Sequence, residues 1–341
     1  MPESPEHILV MRLSAMGDVA MSVPVLRALT TQYPRLKVTV LTRPFFKPFF
    51  RDLDRVEVFG ADLKKEHKGV FGLYKLSKVL KEKRIDAVAD IHNVLRTNIL
   101  KAFFLGIPFK QIDKGRKAKK ALVSGEIFEP LKTTHQRYTD VFTALGFPVS
   151  LSNPEFPKPV NLSEKLQNLT GDHQSKWIGI APFAAHEAKM YPLESMKSVI
   201  AELSKTYKIF LFGGGAKEIE VLNQIQNAFS NVVNLAGQLN LDEELDVISN
   251  LDVMVSMDSG NGHMAAMLGK KVITIWGVTH PYAGFAPFHQ PDTYALTANR
   301  EQYPKIPTSI YGNTFPDGYE NAAGSIVPEI IIEKIKSVIQ D

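Results

Sequence analysis

Ile8-Leu-Val-Met-Arg-Leu13 is a short apolar run that is followed at once by Ser14-Ala-Met-Gly-Asp18. The run is typical of a buried strand, and Gly17 permits a tight turn into a helix-like stretch that ends near Leu29. The next β-branched run is Lys37-Val-Thr-Val-Leu-Thr42. A strand, a helix and a second strand in this order predict a βαβ unit and therefore a parallel sheet.

The same alternation continues through both halves of the chain. In the first half, Leu73–Glu82 has the apolar spacing of an amphipathic helix, and Asp86–Ile91 is a further buried strand. The strands predicted in the second half are Trp177–Ala181, Tyr207–Phe212, Val253–Ser256 and Lys271–Trp276. Pro192 opens a helix after the first of these, and a helix with one apolar stripe is predicted at 327–340.

A proline-rich segment separates the two arrays of strands and helices. It extends from Leu151 to Asn168 and contains three prolines, which is typical of a linker. We therefore predict an α/β protein with two doubly wound parallel-sheet domains, residues 1–160 and residues 170–325. Ligands of such sheets collect at the carboxyl ends of the strands, so the expected site is the cleft between the domains.

The composition excludes several classes of protein. Apolar residues make up 44% of the chain, too many for a disordered protein, and the absence of cysteine excludes a disulfide scaffold and a thiol nucleophile. The polar segment Met1–His7 predicts no signal peptide, and no apolar run is long enough to cross a bilayer. We therefore expect a cytoplasmic protein.

Charge is divided unevenly along the chain. Residues 1–165 contain 28 Lys and Arg against 17 Asp and Glu, whereas residues 166–341 contain 12 against 19. The two net charges, +11 and −7, agree with +4 for the whole chain. This asymmetry indicates an anionic partner for the first half, such as nucleic acid, phospholipid or a phosphorylated substrate; a solvated lysine-rich face is an equally good interpretation.

Two loops that follow predicted strands carry residues suited to chemistry. Asp18 stands where a helix begins, so it is either an N-cap or a functional carboxylate. Ser256-Met-Asp-Ser-Gly-Asn-Gly-His263 is a glycine-rich turn that leads into a helix. The free backbone N–H groups of such a turn suit a phosphate, as does the helix dipole, and His263 can add a donor; a capped helix with an incidental histidine is the alternative.

Three further motifs carry less information. Lys189 lies in the loop before Pro192, where a lone lysine is normally solvated. Gly213-Gly-Gly-Ala-Lys-Glu218 lacks the spacing of a dinucleotide fingerprint and indicates a sharp turn. Asp52-Leu-Asp54 has the D-x-D form of metal-dependent sugar transferases, but it lies in a hydrophilic connection. We therefore predict that it is a surface segment and that no metal is bound.

Four segments occur together in an order that is typical of one family. They are Arg12–Asp18 after the first strand, Lys189 before a Tyr-Pro pair, Leu235-Ala-Gly237, and Met257–His263. In this order they resemble the ADP-heptose:lipopolysaccharide heptosyltransferases, which form glycosyltransferase family 9. The resemblance extends from Ile8 to about Pro281.

The resemblance implies a GT-B fold, in which two Rossmann-like domains face each other across a cleft. The first domain would bind the acceptor and the second the nucleotide sugar, while the helix at 327–340 would pack back onto the first domain. Asp18 would be the catalytic base. The family's donor and phosphate contacts correspond to Lys189, Glu218, Leu239, Asp258, Ser259, Gly260 and His263, with Ser259 in place of the usual threonine.

The reaction implied by the resemblance is inverting and requires no metal or cofactor. A heptose would move from ADP, a nucleotide diphosphate, to a phosphorylated or acidic glycolipid that resembles the lipopolysaccharide core. Lys64 and Arg96 are the candidates for contacting that acceptor. The enzyme would then be cytoplasmic, with peripheral contact at the inner face of the bacterial inner membrane.

Other functions remain open at this point. A nucleotide-sugar epimerase on the same fold would need a second acid or base near the anomeric carbon, and no partner for Asp18 is evident in the sequence. A non-catalytic nucleotide- or glycan-binding protein would share the loop motifs. Nucleic acid is not an expected partner, because the basic residues are not interleaved with stacking aromatics.

Overall fold

The computed structural model describes residues 5–172 and 174–340. These residues form two compact units, each built around a parallel sheet. The first unit contains the described residues up to Lys114 together with Thr134–Glu155. The second contains Gly115–Thr133 together with the described residues from Phe156 onward.

The first unit has a five-stranded sheet. Its strands are β1 (His7–Met11), β2 (Lys37–Thr42), β3 (Val56–Gly60), β4 (Ala87–Asp90) and β5 (Phe109–Gln111). The helices of this unit are α1 (Met16–Gln32), α2 (Gly69–Glu82), α3 (Leu95–Phe103) and α5 (Thr134–Thr143). The intervening helix α4 (Arg116–Ser124) belongs to the second unit. The strand order is β3-β2-β1-β4-β5, with Val10 of β1 opposite Val40 and Ala89. Because helices cover both faces of such a sheet, β1 reads as a continuous apolar run.

The second unit has a six-stranded sheet. Its strands are β6 (Trp177–Ala181), β7 (Lys208–Leu211), β8 (Val232–Asn234), β9 (Val253–Met257), β10 (Lys271–Trp276) and β11 (Ala295–Thr297). Its helices are α4 (Arg116–Ser124), α6 (Glu164–Thr170), α7 (Leu193–Leu203), α8 (Ala216–Ala228), α9 (Leu241–Ser249), α10 (Gly260–Met267) and α11 (Pro328–Gln340). The strand order is β11-β10-β9-β6-β7-β8, and all pairs are parallel.

The strand orders confirm the predicted fold class of two Rossmann-like, doubly wound parallel-sheet domains. In the first sheet the order reverses between β1 and β4, and in the second it reverses between β6 and β9. Open parallel sheets bind their ligands at such switch points, beyond the carboxyl ends of the two strands. These two places are therefore where functional side chains are expected in each unit. No helix within residues 5–172 and 174–340 is both long enough and apolar enough to cross a membrane.

Segment 115–133 joins the second unit, which differs from the predicted boundary near residue 160. The N–H of Leu131 donates to the carbonyl of Tyr282 at 2.9 Å. The ring of Phe128 lies edge-on to His280 at 5.0 Å, and the Arg300 guanidinium lies 3.4 Å from the Phe128 ring centroid. These tertiary contacts involve residues far apart in the chain, so local sequence patterns do not reveal them.

The closing helix α11 packs on α7, β9 and β10 of the second unit. The resemblance implied that this helix packs back onto the first domain. The reason for the packing on the second unit is its apolar stripe: Ile331, Ile335 and Val338 are buried in the core that covers the second sheet.

We expect Ile335→Ala to lower the free energy of unfolding of the second unit by about 3 kcal/mol, because a fully buried side chain is replaced by a cavity. Ile330→Ala is the matched control on the same helix, since Ile330 is 48% exposed, and its effect should stay within about 0.5 kcal/mol. Denaturant unfolding followed by tryptophan fluorescence isolates this unit, because the chain's two tryptophans, Trp177 and Trp276, both belong to it. Equal effects of the two substitutions would contradict this packing.

Candidate functional site

The side chains singled out in the second half follow neighbouring strands of the second sheet. Because the strands are parallel, the loops that follow them leave the sheet at one edge. In sheet order from β10 to β8, these loops carry Thr279, Asp258 with the segment up to His263, Lys189, Glu218 and Leu239. The sheet therefore gathers at its carboxyl edge residues that are separated by up to 90 positions in the chain.

A largely buried ion pair lies at the switch point between β6 and β9. The ammonium nitrogen of Lys189 is 2.8 Å from Oδ2 of Asp258, and the two side chains are only 12% and 11% exposed. The Thr279 hydroxyl donates to the same carboxylate oxygen at 2.9 Å. Lys189 is therefore not a solvated loop charge, the interpretation that its isolated position in the sequence favoured.

Two glycines hold the loop that carries Lys189. A Cβ atom at Gly277 would overlap the carbonyl oxygen of Ala188, which accepts a hydrogen bond from the N–H of Val278 at 3.2 Å. A Cβ atom at Gly312 would overlap Cγ of Lys189, and Gly312 has a φ of +74°. The aliphatic stem of Lys189 is thus packed against backbone, which fixes the direction of its ammonium group.

The N-terminus of α10 adjoins Asp258 in the chain. Ser259 is the N-cap residue, but its hydroxyl makes no capping hydrogen bond. This Oγ is buried and has no hydrogen-bond partner within residues 5–172 and 174–340. Gly260 is the first residue of the helix and His263 lies buried in its first turns. A helix N-terminus with an unsatisfied hydroxyl is a suitable place for an anion.

Glu218 and Leu239 border the same edge of the sheet. The Gly214 N–H donates to Oε2 of Glu218 at 2.8 Å, so this carboxylate closes the glycine turn after β7. Leu239 is half-buried in the loop before α9. On α9, Glu244 accepts a 3.4 Å hydrogen bond from Asn261 in the first turn of α10, and burial raises the pKa of Glu244 to about 7.

In the first unit, Asp18 lies at the switch point between β1 and β4. It is the third residue of α1, whose N-cap is Ala15, so the N-cap interpretation of Asp18 is wrong. Its Oδ2 pairs with the Arg12 guanidinium at 2.6 Å and accepts from the Ala15 N–H at 3.2 Å. Its other oxygen, Oδ1, makes no hydrogen bond or ion pair with any described residue, and the side chain is 28% exposed. One carboxylate oxygen is therefore held and the other is available.

Arg12 is itself held on several sides. Its Nη1 donates to the carbonyl of Ile91 at 2.8 Å, and its guanidinium lies 5.8 Å from the ring centroid of Tyr138, whose hydroxyl donates to the backbone carbonyl of Asp18. Nearby, burial and the positive charge of Arg12 lower the pKa of His92 to about 3. His92 is therefore neutral near pH 7, and Arg12 supplies the positive charge beside Asp18.

Lys64 and Arg96 both lie in exposed positions of the first unit. Lys64 follows β3 and Arg96 is in the first turn of α3. Neither side chain makes a hydrogen bond or ion pair within the part of the chain that the structure describes. Asp52 and Asp54 are also exposed, as the sequence predicted, and the described residues contain no cluster of His, Asp or Glu that would hold a metal ion.

The fold defines a structural class of protein. The chain superimposes on the structure of E. coli ADP-heptose lps heptosyltransferase II with a TM-score of 0.70 and 21% identity, covering 98% of both chains. It also superimposes on E. coli heptosyltransferase WaaC with ADP, with a TM-score of 0.66 and 18% identity over 98% of both chains. The protein thus has the GT-B fold.

Sequence comparison defines the family. Residues 73–312 match the model of glycosyltransferase family 9 (heptosyltransferase), and the chain belongs to this family. It is 26% identical to the lipopolysaccharide core heptosyltransferase OpsX of Haemophilus influenzae over 290 residues, which cover 82% of this chain and 81% of the relative. The family prediction made from the loop motifs is therefore confirmed, and the protein is a glycosyltransferase.

Several residues of these sites were not predicted from the sequence. Arg12 lies inside the motif Arg12–Asp18, but its partner Ile91 is distant in the chain, and Thr279 lies outside all four motifs. Tyr138 and Gly312 carried no local signal at all. The signal that could have indicated Thr279 is its position as a polar residue shortly after the strand Lys271–Trp276. Only the folded structure places Gly312 against Lys189.

We expect Asp258→Ala to lower the free energy of unfolding of the second unit by about 3 kcal/mol, because it leaves the Lys189 ammonium buried without its partner. The double variant Lys189→Met/Asp258→Ala should recover part of this loss. Tryptophan fluorescence in denaturant measures both. Lys197→Ala, which breaks an exposed pair with Glu194, is the control and should leave the transition unchanged. An additive double variant would show that the two charges are not coupled.

Proposed function

We propose that the protein transfers a heptose from ADP-heptose to an acidic glycolipid that resembles the lipopolysaccharide core, with inversion and without a metal ion. The observation that carries the proposal is the largely buried Lys189–Asp258 pair, which is next to the unpaired Ser259 hydroxyl at the N-terminus of α10, in a chain of this family. The relatives are described as heptosyltransferases of lipopolysaccharide, and one solved relative is described with ADP.

In the proposed donor complex, the second unit binds the nucleotide diphosphate. Negative charge grows on the diphosphate as the glycosidic bond breaks, and preorganised donors at that place stabilise the transition state. A lysine ammonium has three N–H donors, so Lys189 can bind Asp258 and still donate to a phosphate. The Ser259 hydroxyl, the N–H groups at Gly260 and the side chain of His263 are the other proposed phosphate donors.

The remaining donor contacts are assigned by position. Glu218 closes the turn after β7, where its carboxylate can accept from a ribose hydroxyl, and the half-buried Leu239 offers an apolar surface for the base. Asp258 orients Lys189 rather than touching the phosphates, since a carboxylate would repel them.

In the proposed reaction, Asp18 is the general base. The acceptor hydroxyl is a poor nucleophile, and a carboxylate that takes its proton during the attack on the anomeric carbon speeds the reaction. Arg12 and the Ala15 N–H hold Oδ2, which leaves Oδ1 as the oxygen that receives the proton. The base is thus kept in one orientation before the substrate binds.

The acceptor is assigned to the first unit on charge. The residues of the first unit, 1–114 and 134–155, contain 21 Lys and Arg against 14 Asp and Glu, a net charge of +7. Lys64 and Arg96 are exposed cations without partners among the described side chains. These two are the proposed contacts for the acidic groups of the glycolipid. Because such an acceptor is anchored by its acyl chains, the enzyme would work in peripheral contact with the inner face of the inner membrane.

A nucleotide-sugar epimerase is the weaker alternative. Asp18 is paired with an arginine rather than with a second acid or base, which an epimerase would need at the reacting carbon. The family assignment as a glycosyltransferase agrees with this, and it equally disfavours a non-catalytic binding protein.

We expect Asp18→Asn to lower kcat by roughly 10²- to 10⁴-fold, because the amide cannot accept the proton of the acceptor hydroxyl. The affinity for ADP-heptose, measured by thermal shift or calorimetry, should change by no more than about twofold, because Asp18 does not touch the donor in the proposed complex. Asp52→Asn, a change at an exposed aspartate, is the control and should not alter turnover. Near wild-type turnover in Asp18→Asn would exclude it as the base.

We expect Gly312→Ala to weaken ADP-heptose binding by roughly tenfold, because the new methyl group displaces the stem of Lys189 and removes one charge-assisted contact. Gly318→Ala is the matched control: Gly318 has a similar φ of +83° but open space around its Cβ position, so it tests backbone strain alone. Calorimetric titration with ADP-heptose, UDP-sugars and GDP-sugars also identifies the nucleobase of the preferred donor. Equal donor affinities in the two variants would remove Lys189 from the donor site.

A further inference from the structure

The outward face of α2 carries apolar side chains that nothing in the first unit covers. Val70, Phe71 and Tyr74 are 60%, 69% and 41% exposed. The opposite side of the same helix is already buried through Leu73, Leu76 and Leu80. A surface helix normally buries one apolar stripe and presents polar residues on its other side. This helix is apolar on two sides, so its outward face requires a separate explanation.

Lysines surround these aromatic rings. The ammonium of Lys75 lies 4.8 Å from the ring centroid of Phe71, and that of Lys78 lies 4.8 Å from the ring centroid of Tyr74. Between Lys64 and Lys81 the sequence has six lysines and one acidic residue, Glu66. The face is therefore both aromatic and strongly positive.

The face continues from α2 onto its neighbour. The ring of Tyr74 lies edge-on to Phe103 of α3 at a centroid distance of 5.5 Å, and α2 packs along α3. We call the surface formed by Val70, Phe71, Tyr74, Lys75 and Lys78 the α2 face. It is anchored to the core of the first unit by the buried leucines of α2, so a ligand on it would be held rigidly to that unit.

We propose that the α2 face is a docking surface for a bilayer that contains anionic phospholipids. Aromatic side chains partition into the headgroup region, while neighbouring lysines bind lipid phosphates. The same lysines argue against a protein partner, because lysine is depleted from the buried centre of protein interfaces. The inference rests on the proposed function for its purpose, delivery of a membrane-anchored acceptor, but its physical basis is independent of the donor site.

Co-sedimentation of the full chain with phospholipid vesicles tests this proposal. We expect binding to phosphatidylcholine vesicles that contain phosphatidylglycerol and little binding to phosphatidylcholine alone, with a clear loss of binding at high salt. Phe71→Ser/Tyr74→Ser should weaken partitioning by roughly tenfold through lost apolar burial. Lys75→Gln/Lys78→Gln should weaken it by roughly fivefold per lysine and reduce its salt dependence.

Two further measurements make the outcome unambiguous. Ile330→Ser, which removes an exposed apolar residue of α11, should bind vesicles like the wild type. The α2-face variants should keep their thermal shift with ADP-heptose and their transfer to an acceptor dispersed in detergent, but lose transfer to the same acceptor in vesicles.

The possible failures are distinct. Absence of binding to anionic vesicles, or binding that the α2-face variants retain, would overturn the docking proposal and leave the proposed transfer intact. Vesicle binding without any transfer would refute the proposed function alone. A dimer in sedimentation velocity that Phe71→Ser/Tyr74→Ser abolishes would assign the face to a second copy of the chain and overturn the lipid proposal.

Discussion

The second unit's site depends on the largely buried ion pair between Lys189 and Asp258. It joins the loops after two strands that are neighbours in the sheet but distant in the sequence, and Thr279 connects the loop after a third. Removing two charges from water is expensive, so such a pair persists only where the geometry is closely held. Here the backbone at Gly277 packs against Ala188, the backbone at Gly312 packs against the aliphatic part of Lys189, and these contacts provide the restraint. A restrained ammonium is suited to charge that develops during a reaction, because it needs no reorganisation.

The first unit also has a restrained ion pair, but here the cation holds the carboxylate in place. Arg12 is buried and restrained, and it holds one oxygen of the more exposed Asp18. Both pairs lie at the switch point of their sheets, where the first strand of each array meets the strand that reverses the order. Each pair thus combines one group that fixes geometry with one group available to a ligand. In the proposed reaction the fixed partners are Arg12 and Asp258, and the available ones are Asp18 and Lys189.

Much of the fold could be predicted because its signal is local. The strands Lys37–Thr42, Trp177–Ala181 and Lys271–Trp276 were predicted with the bounds that the structure has, since buried parallel strands appear as apolar β-branched runs between turns. Three-residue strands such as β5 and β8 are too short to show any period. The site loops could be found from glycines and polar residues after strands. The partners of Lys189 and Asp18, the placement of α11 and that of segment 115–133 could not, because each depends on contacts between distant parts of the chain.

Segment 115–133 makes the second unit discontinuous in the chain. A fragment that began at Phe156 would contain every strand of the second sheet, yet it would lack Phe128, on which the Arg300 guanidinium and the ring of His280 rest. The carbonyl oxygen of Tyr282 would also lose the hydrogen bond that it accepts from the N–H of Leu131. Cutting the gene at the proline-rich linker would therefore produce a C-terminal half that lacks the packing contacts of segment 115–133. A hybrid made from two relatives would have to take both pieces of the second unit from the same parent to keep these contacts.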